Sequence, residues 1–121
     1  MARDFRKVKA WERAHALTLE IYRATARFPD AEKFGLVSQV RRAAASIPTN
    51  IAEGCGRETQ SELNRFLQIA AGSASEIEYQ LLLAHDLKYV PTDSYATLSS
   101  EAAEIRQMIL AYSKKLKTQT P

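Results

Sequence analysis

Val37-Ser38-Gln39-Val40-Arg41-Arg42-Ala43-Ala44-Ala45-Ser46-Ile47-Pro48-Thr49-Asn50-Ile51 is the stretch on which the fold turns. Val37, Val40, Ala44, Ile47 and Ile51 recur at strict steps of three and four, which places one apolar stripe on a helix. The same spacing returns in three other places. Val8, Trp11, Ala14, Leu17, Ile21, Ala24 and Phe28 form a stripe that ends at Pro29, and Leu63, Phe66, Ala70, Ala74, Ile77, Leu81 and Ala84 form the longest one. Tyr95, Leu98, Ala102, Ile105, Ile109, Tyr112 and Leu116 form the last. Four amphipathic helices are predicted, the third running from about Leu63 to Lys88. The connections at Pro29 to Gly35, Gly54 to Thr59 and Tyr89 to Thr92 are short, so consecutive helices should lie antiparallel. The expected class is all-α, an up-and-down antiparallel four-helix bundle with a single domain over residues 1–121.

The punctuation agrees with the periodicity. Thr59 followed by Glu62 is a capping box for the third helix, and Pro91 and Thr92, with Asp93 in the first turn, end that helix and open the fourth. Pro48 is the irregularity: inside helix two it removes one hydrogen bond and crowds the Ala44 carbonyl, so a kink or break is expected there, in the service of packing.

Composition narrows the function. The chain has 121 residues, 45% hydrophobic and 26% charged, with only 4 Gly and 4 Pro, which disfavours a turn-rich sandwich or barrel. A single cysteine, Cys55, excludes an internal disulfide and a thiolate metal cluster and fits a reduced, cytoplasmic setting. Met1 to Ala10 lacks the apolar core of a signal peptide, and no apolar run approaches the roughly 18 residues of a membrane span. No membrane role is expected.

Net charge is +3, with 11 Lys and Arg against 7 Asp and Glu in residues 1–60 and 6 against 7 in the remainder. Arg3, Arg6, Lys7, Lys9 and Arg13 are the densest basic run, and Lys114, Lys115 and Lys117 form a smaller cluster. Such a surface attracts phosphates in a salt-dependent way; the plain alternative is a solvated, solubilising face.

Two faces lie opposite the core stripes. On helix two they are Gln39, Arg42, Ser46, Asn50, Glu53 and Arg57, with Glu53 and Arg57 in favourable i,i+4 order, while Arg41 runs its stem along a neighbouring helix. On helix three the outward side holds Gly72, Tyr79 and Leu83, flanked by Ile69 and Leu82. Such a helix, apolar almost all round, calls for a second partner, and self-association answers that need.

Catalytic chemistry is sparse. Glu12 and His15 share a helical face as half of a di-iron carboxylate site does, but the other half is missing. Cys55 between Gly54 and Gly56 lacks a placed histidine and reads as a small space-filler. Trp11, at core spacing, reads as packing. There is no phosphate loop, zinc spacing or nucleophile elbow. No enzyme activity, metal or cofactor is expected.

The run Phe34-Gly35-Leu36, Gln39-Val40-Arg41-Arg42-Ala43-Ala44, Ser46-Ile47, Asn50-Ile51-Ala52-Glu53-Gly54 and Gly56-Arg57 resembles the bacterial four-helix bundle family associated with intervening sequences in large-subunit ribosomal RNA genes. The likeness continues through Phe66-Leu67-Gln68-Ile69-Ala70 and Gly72-Ser73, and covers the chain from Phe5 to about Leu116. The resemblance implies homopentameric rings. It also implies a similarity to the accessory proteins of diversity-generating retroelements, which are basic pentamers that engage nucleic acid and a reverse transcriptase. The combined reading is a non-enzymatic homopentameric scaffold that binds structured RNA or DNA, or a nucleoprotein partner such as a reverse transcriptase, through Arg3, Arg6, Lys7, Lys9, Arg13, Arg41, Arg42 and Arg57. Subunits would meet at Ser46, Asn50, Glu53, Gly72, Tyr79 and Leu83. The alternative is a structural or regulatory protein-protein module with no nucleic-acid role. Fivefold repetition would multiply a charge of +3 to about +15, so weak contacts would sum by avidity.

Overall fold

In the computed structural model the described residues are 3–118. They contain four α-helices and no strand: α1, Lys9–Thr25; α2, Leu36–Cys55; α3, Gln60–Asp86; and α4, Thr92–Thr118. Short 3-10 turns at Phe5–Lys7 and Asp30–Glu32 precede α1 and α2. The single-domain span of 1–121 includes residues 1–2 and 119–121, which lie outside the described residues.

The apolar stripes become one shared core. Leu17, Ile21, Ile47, Ile51, Leu63, Leu67, Ile77, Ile105 and Ile109 are fully enclosed, and Ala14, Ala44, Ala70, Ala74, Ala84 and Ala102 are small enough to bring helix axes close. Cross-helix bonds fix the antiparallel order. Ser46 meets Ser73, while Gly54, farther along α2, meets Phe66, earlier on α3. Likewise Arg106 of α4 reaches Glu78 at 2.6 Å, while Ser113 pairs with Asn64 and Gln68. Burying Ser113 and Gln80 departs from a purely apolar core; Ser113 is satisfied by its two α3 neighbours, whereas the Gln80 side-chain carbonyl has no partner among the described residues.

The ends are well specified. Thr59 Oγ1 accepts the Glu62 N–H at 3.1 Å, although the Glu62 carboxylate turns to Arg65. Lys88, at φ 67°, closes α3: its N–H donates to the His85 carbonyl and the Tyr89 N–H to the Ala84 carbonyl, both at 2.9 Å, the paired bonds of a Schellman cap. Of the kink or break expected at Pro48, the break does not occur: α2 runs through it. Proline withholds a hydrogen from the Ala44 carbonyl, and the Thr18 hydroxyl of α1 lies 3.1 Å from that oxygen, its one hydrogen shared with the Ala14 carbonyl at 2.8 Å.

Candidate nucleic-acid interface

The bundle gathers basic residues that are far apart in sequence. The Arg3 N–H donates to the Cys55 carbonyl at 2.7 Å, which draws the N-terminal segment across the C-terminal end of α2. Asp4 caps the following turn through the Arg6 N–H at 3.0 Å. Phe5 then meets Trp11 edge-on, with ring centroids 4.8 Å apart. A surface depression lined by Lys7, Val8, Ala10, Met108 and Tyr112 shows this segment lying along the C-terminal half of α4, and Lys117 borders a second depression with Thr59, Gln60 and Asn64. Arg3, Arg6 and Lys7 therefore share one end of the bundle with Arg57 and with Lys114, Lys115 and Lys117.

Not every cation there is available. Arg3, Lys7, Lys114, Lys115 and Lys117 are exposed and have no acidic partner among the described residues, as is Arg42 farther along α2. Arg6 pairs with Asp4 at 3.5 Å, Lys9 with Glu12 at 3.3 Å and Arg57 with Glu53 at 3.2 Å. These exposed pairs are weak enough for a phosphate to displace.

Arg13 and Arg41 are engaged at the seams between helices. The Arg13 guanidinium donates to both Glu101 oxygens at 2.9 and 2.6 Å and to Glu104 at 3.3 Å, and these bonds raise its pKa above the ordinary arginine value. Arg41 donates to Thr25 Oγ1 at 2.8 Å and to the Tyr22 carbonyl at 3.1 Å, with its guanidinium over the Tyr22 ring. Sequence spacing groups Arg13 with the outward cations, and α4 brings it acidic partners instead, whereas Arg41 lies along α1, the neighbouring helix its place near the seam suggests.

The polar stripe of α2 divides in the same way. Gln39, Arg42, Glu53 and Arg57 face water. Ser46 and Asn50 are half-buried: Ser46 Oγ lies 2.8 Å from Ser73 Oγ, and Asn50 Nδ2 donates to the Ser46 carbonyl at 2.8 Å and to its hydroxyl at 2.9 Å. On the outer side of α3, Tyr79 is 62% exposed, Ile69 and Leu82 are 42% exposed, and Gly72 is open to solvent. Leu83 instead turns inward against the core.

Among the described residues nothing assembles a reaction centre. His15 stacks on Trp11 at 5.2 Å while Glu12 turns to Lys9, and no three described His, Cys, Asp or Glu side chains converge to hold a metal. Cys55 is buried and desolvation pushes its thiol pKa up, the wrong direction for a nucleophile. Among the described residues no helix is long and apolar enough to cross a membrane. One exposed residue stands out only within the family-like block: Phe34, 90% exposed. Its sequence signal is an aromatic that lies off every core stripe.

The architecture is thus that of an all-α bundle with a basic end and an apolar outer helix face. The model of the 23S rRNA-intervening sequence protein family matches residues 6–111, and the chain belongs to that family. The solved structure of a protein of unknown function from the S23 ribosomal protein family of Bacteroides thetaiotaomicron is 22% identical, with a TM-score of 0.78 over 87% of this chain and 98% of that one. That likeness extends to the fold. No curated protein matches the chain.

Proposed function

We propose that this chain is a non-enzymatic, single-domain scaffold that assembles as a ring-shaped homopentamer through the outer side of α3 and binds structured RNA through its basic end. The observation that carries the reading is the meeting of Arg3 and Lys7 with Lys114, Lys115 and Lys117, cations from opposite ends of the sequence without acidic partners among the described residues. Unpaired cations on one surface release counterions when they meet phosphates, and repetition around a ring sums weak contacts. The name of the family points to RNA as the polyanion.

Titrating a structured RNA with the oligomer at increasing salt tests this. Affinity should fall steeply with salt. Replacing Lys114, Lys115 and Lys117 together by serine should flatten that dependence by about 0.7–0.9 in log-log slope for each phosphate that is no longer neutralised. Arg13→Gln should leave the slope unchanged. An oligomer that shows no RNA binding at about 50 mM salt, where such contacts are strong, refutes the reading.

A further inference from the structure

Phe34 has the most exposed large apolar side chain among the described residues, yet the turn that carries it is tightly built. Glu32 Oε1 accepts the Leu36 N–H at 3.2 Å, and its Oε2 accepts the Tyr89 hydroxyl at 2.9 Å. The Gly35 N–H donates to the Glu32 carbonyl at 3.0 Å. A Cβ on Gly35 would stand 2.9 Å from Glu32 Oε1, so glycine is what lets that carboxylate hold both donors. The turn is held on both sides of Phe34, and its ring stands in water as a projecting knob.

The outer side of α3 carries a gap in its side-chain cover. Gly72 is exposed in mid-helix, its φ is not positive, and a Cβ there would meet no atom within 4 Å. Nothing within the described residues requires glycine at this position, where alanine is the better helix former. Residues three and four away, Gln68, Ile69, Ser75 and Glu76, rim the resulting hole, with Tyr79 one turn beyond. The charges beside knob and gap are opposite. Lys33 Nζ lies 5.6 Å from the centre of the Phe34 ring, and Gln80 Nε2 steadies the Glu76 carboxylate at 3.0 Å.

We propose that Phe34 of one copy seats in the Gly72 hole of the next copy, with Lys33 set against Glu76. Knob and hole lie on different elements, so the contact is heterologous: every copy offers one of each, and the contact repeats from copy to copy, as a ring requires. This inference rests on the self-association proposed above and adds which two surfaces meet.

Light scattering and circular dichroism on Phe34→Glu and Gly72→Trp test the pairing. Each variant alone should be a helical monomer. Mixed in equal amounts they should form a 1:1 dimer and nothing larger, because the first keeps only a hole and the second only a knob. Lys33→Glu and Glu76→Lys should each weaken assembly about fivefold, and the double variant should recover it. A mixture that stays monomeric at concentrations where wild type is assembled overturns the pairing. So does Phe34→Glu at wild-type mass; if Tyr79→Glu then dissociates the assembly, self-association through α3 survives and only the knob is lost. A monomeric wild type ends both.

Discussion

The α2–α3 seam and the α1–α4 seam join helices of one bundle by different physics. Between α2 and α3, small residues set how closely the helices approach: Gly54 lies under Phe66 and Leu63, Ser46 touches Ser73, and Ala70 is fully enclosed. Between α1 and α4, Arg13 spans the gap to Glu101 and Glu104 and brushes the Met108 sulfur at 3.4 Å. Volume limits the first seam and charge the second. A bulky residue should break one, and salt should loosen the other.

The largest effect is expected at Gly54. A Cβ there would lie 2.9 Å from the Phe66 Cβ and 3.0 Å from Leu63 Cδ1, with the Leu63 carbonyl at 3.3 Å. Gly54→Val should therefore lower unfolding free energy by about 3 kcal/mol in urea denaturation. A loss under about 1 kcal/mol would show that the seam has room to give.

Arg13→Met should cost less, about 1 kcal/mol, because its partners Glu101 and Glu104 keep 32% and 56% of their side-chain surface in water. The deficit should shrink as salt rises, since the wild-type pairs are screened. A deficit that is the same at low and high salt would assign the seam to the packing of the arginine stem instead.

The smallest effect sharpens the contrast from the outer side of α3. Gly72 has the open space that Gly54 lacks, so Gly72→Ala should stabilise the bundle by about 0.5–1 kcal/mol. Thermal unfolding of that change in a Tyr79→Glu background reads the helix without its association. Destabilisation there would reveal an intramolecular reason for glycine.

Much of the bundle was legible because helical burial is a local, periodic property. Val40, Ala44, Ile47 and Ile51 recur at helical steps, and all four are buried. The Thr59 cap lies three residues from its N–H partner and is read the same way. The candidate site was harder, because the fate of a cation depends on what another helix brings to it. Arg13 and Arg42 look alike in sequence, but only Arg13 faces an acidic pair, supplied by a helix at the far end of the chain. Ser46 sits on the polar stripe and still turns to Ser73 of α3, and Asn50 turns back onto Ser46. Pro48 reads as a kink or break, and the helix nonetheless continues, with the Thr18 hydroxyl of α1 beside the carbonyl it leaves open.

By itself the sequence determined the helices, their order, their core faces and the family-like block around α2, since spacing and short connections are written residue by residue. Only the tertiary structure decided which charges were neutralised, that the two distant basic clusters share one end, and that Phe34 stands out while Leu83 turns in. Those outcomes follow from contacts between residues far apart in the chain, which hydrophobic periodicity does not encode.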